Sequence, residues 1–161
     1  MKKIFMFLTV AALTVAAGCS SDDDSGSSTP GGLLSVTIDG TAKTFNNVIV
    51  QQTNHPADGS IAAYTELFVT VSMGNTATEV ISFRVDRGDI GADAIYDFKY
   101  VNGSAIVYDY GGLSSVVQTN GDDRNLTGSF SGELAETDTT CSGCPPIETA
   151  NLTNGTFSIQ Y

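Results

Sequence analysis

The chain has 161 residues, 41% of them hydrophobic and only 16% charged, with no Trp and a single His. Its 18 acids outweigh 7 bases, a formal charge of −11, which argues against nucleic acid or an anionic lipid surface as a partner. The length suits one domain, and apolar residues recur in alternating runs, so the chain is not a disordered one.

The first stretch, MKKIFMFLTVAALTVAAGC, has three parts. Lys2 and Lys3 form a positive end, Ile4 to Ala17 an apolar run, and Ala16, Ala17 and Gly18 a small-residue end. That is the architecture of a secretory signal, and the run is too short to span a bilayer comfortably. "AAGC" resembles the lipobox of bacterial lipoproteins, although Ala16 stands where Leu is commoner. The resemblance implies cleavage before Cys19, a diacylglycerol thioether on its sulfur and an acyl chain on its new amino group. Two or more chains anchor stably, because each buried methylene contributes about 0.8 kcal/mol. Cys19 is then an anchor rather than a reactive thiol.

Behind it come "SSDDD" and "SGSSTPGG". Their composition reads as a flexible tether, with an average span of roughly 20 Å from Ser20 to Gly32. The three aspartates serve as a hydrated spacer. They also resemble the acidic signal that sends Bacteroidota lipoproteins to the cell surface, which implies an outer-membrane protein displayed outward. The organisation is therefore a leader at 1–18, a lipidated tether at 19–32 and a domain at 33–161.

The domain reads as strands throughout. "LLSVTIDGTAKTF" predicts a hairpin turning at Asp39-Gly40, pairing Leu34 with Phe45 and Ile38 with Thr41. "YTELFVTVSM" and "EVISFRVD" alternate, with Leu67, Val69, Val71 and Met73, then Ile81, Phe83 and Val85, facing inward. In "IYDFKYVNGSAIVYDY", Asn102-Gly103 is the preferred pair for a type I′ turn. That register puts Tyr96, Phe98, Tyr100, Ala105 and Val107 on the core face, and Asp97, Lys99, Ile106, Tyr108 and Tyr110 on the other. "LSSVVQT" reads as a short strand of its own. Leu126, Phe130 and Leu134 share one side of the next, with Gly128 and Gly132 suggesting bulges or close backbone contact. Phe157, Ile159 and Tyr161 close the chain on one face. About nine or ten short strands predict an antiparallel β-sandwich, with a β-barrel as the alternative. The pieces "ISFRVDRGDIGADAIYDF", "LTGSFSGEL" and "LTNGTFSIQY" resemble a family of small Bacteroidota lipoproteins whose domain has no assigned function. That resemblance brings no catalytic residues with it.

Candidate sites are few. Cys141 and Cys144 in "TTCSGCPPIET" read as a loop disulfide outside the cytoplasm. Redox or zinc chemistry would need a helix N-terminus or further ligands. Asp86, Asp89 and Asp93 share the loop "DRGDIGAD" and could contribute oxygens to Ca²⁺, or be solvated acids. Tyr108 and Tyr110, with Asp97 and Lys99, form a solvent-facing set that could stack on sugars or grip a peptide. His55 lies in a loop with no nucleophile turn in the chain. The reading is a lipid-anchored envelope protein with a non-catalytic binding or structural role and no required cofactor. A glycan- or protein-binding module is the first alternative and a small hydrolase the second.

Overall fold

The computed structural model describes residues 31–74, 78–136 and 148–161; Cys19, Cys141, Cys144 and the side chain of Tyr110 lie outside what it describes. The described residues are all-β, with ten antiparallel strands in one sheet that does not close into a barrel. The strands are β1 (Gly31–Ile38), β2 (Thr41–Phe45), β3 (Asn47–His55), β4 (Tyr64–Ser72), β5 (Val80–Asp86), β6 (Gly91–Ala92), β7 (Tyr96–Val101), β8 (Val107–Asn120), β9 (Asn125–Glu136) and β10 (Thr149–Gln160). The spatial order is β2-β1-β10-β9-β8-β7-β5-β4-β3, with the short β6 beside β8.

Alternation decides which face is buried. Leu67, Val69, Val71, Ile81, Phe83 and Val85 are fully buried, so β4 and β5 point the predicted residues inward. The first hairpin has the predicted register, Leu34 opposite Phe45 and Ile38 opposite Thr41. Asp39 and Gly40 both have positive φ, 50° and 79°, as a type I′ turn requires. The Asp39 carboxylate also accepts the Asn151 N–H at 2.9 Å, which pins the turn to β10.

The sheet folds onto itself as two packed layers. Phe83 on β5 and Phe157 on β10 are four strands apart in the order, about 19 Å along a flat sheet. Their ring centroids are 5.4 Å apart. Phe98 and Phe130 complete the cluster, at 6.1 Å from Phe83 and 5.0 Å from Phe98 respectively. The two edges meet through one residue. Asn46 connects β2 to β3, and its backbone N–H donates to the Ser72 carbonyl at 3.2 Å.

Glycines make room for the aromatic cluster. Gly128 lies opposite Phe157 and Gly155 opposite Phe130, and each ring covers the glycine facing it. This is the close contact that the glycine spacing of β9 suggests.

Two features differ from the sequence expectation. The segment 107–120 is one strand through Gly111-Gly112, not two short ones. The β7–β8 register is also different: Tyr100 pairs with Tyr108 and Val101 with Val107. Asn102 does not occupy the centre of a two-residue turn. Its side-chain carbonyl accepts the N–H groups of Ser104 and Ile106, each at 2.9 Å, and its own backbone N–H donates to the Ile106 carbonyl. The positive φ falls on Ala105, at 63°. This is a three-residue loop with Asn at its first corner, a position that favours Asn as strongly as the type I′ turn does. The new register is odd relative to the expected one, so every β8 side chain near the turn changes face. Tyr108 goes in and Val107 goes out.

Candidate functional site

The outer face of β4, β5 and β7 carries a connected group of chemically capable side chains. Its geometry begins with a bulge. Ser82 pairs with Lys99 but Arg84 pairs with Tyr96, and Asp97 takes up the extra residue with φ 50°. The bulge turns Tyr96 out of the core, where simple alternation had placed it, and leaves it 41% exposed.

Arg84 is the hub. Its Nε donates to Asp97 Oδ2 at 3.0 Å, an Nη donates to Glu66, and the guanidinium carbon lies 4.6 Å from the Phe68 ring centroid. Lys99 Nζ sits 3.3 Å from Asp97 Oδ1. The Tyr96 hydroxyl faces two carboxylates, Asp86 Oδ1 at 2.8 Å and Glu66 Oε2 at 3.1 Å. A phenol has one proton, so it is shared between them. Desolvation, reinforced by these carboxylates, holds the Tyr96 phenol far above its ordinary pKa. Asp97 loses some hydration, yet the Arg84 and Lys99 bonds keep it below the usual carboxylate range. The outcome is a half-exposed aromatic ring fixed at its hydroxyl end and flanked by charged donors and acceptors. Asp97 and Lys99, expected beside Tyr108 and Tyr110, lie instead in this group around Tyr96. Tyr108 does not.

Tyr108 is 5% exposed and stacks on Tyr100, centroids 5.6 Å apart and planes 19° apart. The two phenols sit by a small polar cavity of about 300 Å³, where Lys43, Glu79 and Asn102 also converge. Lys43 Nζ is 2.6 Å from Glu79 Oε2, and the Tyr100 hydroxyl donates to the same oxygen at 3.0 Å. The Tyr108 hydroxyl donates to Glu148 at 2.8 Å and accepts from Asn102 Nδ2 at 3.2 Å. Burial, helped by Glu148, pushes the Tyr108 phenol up to about 12. These groups satisfy one another. Because Lys43 is on edge strand β2 and Tyr100 on β7, the network ties the two layers together.

The aspartate loop is organised otherwise than a calcium site. Asp86 turns to Tyr96, and Asn120, 2% exposed, donates to the backbone carbonyls of Asp86 and Asp89 at 2.8 and 3.1 Å. Tyr161 donates its hydroxyl to Asn120 at 3.0 Å, so the last residue braces this loop. Among the described residues no three His, Cys, Asp or Glu side chains converge to hold a metal, so Asp86, Asp89 and Asp93 are not gathered. His55 stacks on Tyr64 with centroids 4.5 Å apart, and its Nε2 is buried without a hydrogen-bond partner.

Sequence reasoning missed Tyr96, Arg84, Glu66 and Phe68 as a group. The only advance signal was the alternation itself, which puts Glu66, Phe68, Arg84 and Asp86 on the outer face of adjacent strands. No family model matches this chain, and neither a curated protein nor a solved structure is found to be similar to it.

Proposed function

We propose that this chain is a lipid-anchored envelope protein, held at Cys19 and displayed on the cell surface, whose β domain is a non-catalytic glycan-binding module. The anchor and address rest on "AAGCSSDDD" and its likeness to Bacteroidota lipoproteins. The binding reading rests on one observation: the Tyr96 ring, half exposed and oriented by Asp86 and Glu66 beside Arg84, Asp97 and Lys99. A ring whose hydroxyl is already tied loses little rotamer entropy on binding. Its open face suits the apolar face of a sugar, and the flanking charges suit the hydroxyls.

The test is retention on glycan arrays and affinity gels. Tyr96→Ala should abolish retention while Tyr108→Phe, in the interior network, leaves it intact. If no glycan retains the wild-type protein, or Tyr96→Ala binds as well, the glycan reading is wrong and a structural role in the envelope replaces it. The anchor is tested separately: Cys19→Ala should lose fatty-acid labelling and leave the membrane fraction. Replacing Asp22, Asp23 and Asp24 with Ala should protect the protein from protease added to intact cells.

A further inference from the structure

The sheet ends on an edge unlike any other part of this acidic molecule. β3 has nine residues, Asn47 to His55, and among the described residues pairs on one side only, with β4. Among the described residues its backbone makes no hydrogen bond outside that ladder. The four residues Gln51, Gln52, Thr53 and Asn54 are all exposed, so both faces of the strand are open there, and Ile49 is 52% exposed. Natural edges are usually blunted by Lys, Pro, a bulge or short length. The other edge, β2, follows that pattern, with five residues and Lys43 in the middle. β3 has no Asp, Glu, Lys, Arg or Pro, and its pairing with β4 runs through all nine residues without a register shift.

We propose that β3 pairs antiparallel with the β3 of a second copy of this chain, continuing the sheet across a two-fold axis. An antiparallel pair of identical strands is isologous, so each residue meets a copy of the same short set. The β3 side chains suit that symmetry. With the axis at Gln51, the centre of the strand, Gln51 meets its own copy and Ile49 lies against the methyl-bearing Thr53, and Asn, Gln and Thr each both donate and accept, so the facing groups can satisfy each other. A charged strand would face its own charge, which is destabilising directly across a ladder. Two chains of charge −11 repel overall, and an uncharged contact strip is where they can meet. The pairing does not depend on the glycan reading. It would put the two Tyr96 faces on one continuous surface, about 34 Å apart along the sheet at seven strand steps.

Sedimentation velocity of the purified chain should show a monomer–dimer equilibrium that depends on concentration. Gln51→Lys should weaken it by about tenfold or more, since the variant opposes like charges across the axis. Its melting temperature at a dilution where both proteins are monomeric should match the parent, because residue 51 is exposed, and that match confirms that the fold is retained. In a scan of Ile49→Cys, Gln51→Cys and Thr53→Cys, disulfide-linked dimers should peak at the position nearest the axis and be missing from the parent chain. A chain that stays monomeric without crosslinks, a dimer indifferent to Gln51→Lys, or crosslinks to a different protein would each overturn the proposal.

Discussion

Replacing Gly155 with Ala asks whether the aromatic cluster really depends on the glycines opposite it. A Cβ on Gly155 would sit 2.6 to 2.7 Å from three ring carbons of Phe130, where ordinary contact is 3.4 to 4 Å. The ring would have to retreat by about 1 Å, but Phe98 lies 5.0 Å from it and Phe157 6.5 Å, centroid to centroid. Overpacking of this kind costs about 1–3 kcal/mol. At roughly 3–4 °C per kcal/mol for a domain of this size, the melting temperature should fall by roughly 3–12 °C. Gly112→Ala is the matched control, since nothing lies within 4 Å of where its methyl group would sit and its φ is ordinary. That change should be neutral or stabilising by up to about 1 kcal/mol, through the unfolded state. Thermal and urea unfolding of both variants would measure the contrast. Phe130→Leu added to Gly155→Ala should recover part of the loss, because it removes the ring that the methyl strikes. If Gly155→Ala melts at or above wild type, the ring is not held as described and the packing argument fails.

Three further outcomes follow from the same geometry. Ala105→Gly should stabilise by about 0.5–1 kcal/mol in urea unfolding, because Ala105 holds a φ of 63° that costs an L side chain energy and Gly nothing. Lys43→Met should destabilise by about 1.5–3 kcal/mol, since it removes the cation from the half-buried Glu79 carboxylate and leaves the Tyr100 hydroxyl to hold it, and adding Glu79→Gln should restore part of that in a double-mutant cycle. The Tyr108 phenol has a folded value of about 12 against an ordinary 10.0, so the folded state holds its proton more tightly than the unfolded state. Its contribution is complete below pH 10 and declines between 10 and 12, so stability falls as pH rises through that window. A phenolate absorbance titration should show Tyr108→Phe losing one late-titrating group; the same late amplitude in variant and wild type would contradict the assignment.

Much of the strand content was legible, and the reasons are local. Asp39-Gly40 needs two positive φ values that few other pairs accept, so turn, register and inward face all followed from one dipeptide. The fully buried alternation of β4 and β5 was equally plain. Asn102-Gly103 was ambiguous, because Asn suits both the first corner of a three-residue loop and the centre of a type I′ turn. The side chain of Asn102, bonded to two N–H groups beyond it, selects the loop. That choice moves Tyr108 from the outer face to the interior.

By itself, the sequence determined what periodicity and composition control: strands throughout, a first hairpin in register, an inward set of aliphatic and aromatic residues, and a strongly acidic charge balance. Only the tertiary structure decided which outer-face residues meet. Arg84, Glu66, Phe68 and Tyr96 lie on three strands, and a one-residue bulge at Asp97 decides whether Tyr96 joins them. A bulge costs little locally and is selected by packing and by the ion pairs it permits, such as Arg84 with Asp97. It leaves no reliable mark on the sequence, yet it turns a core tyrosine into the centre of the proposed binding face.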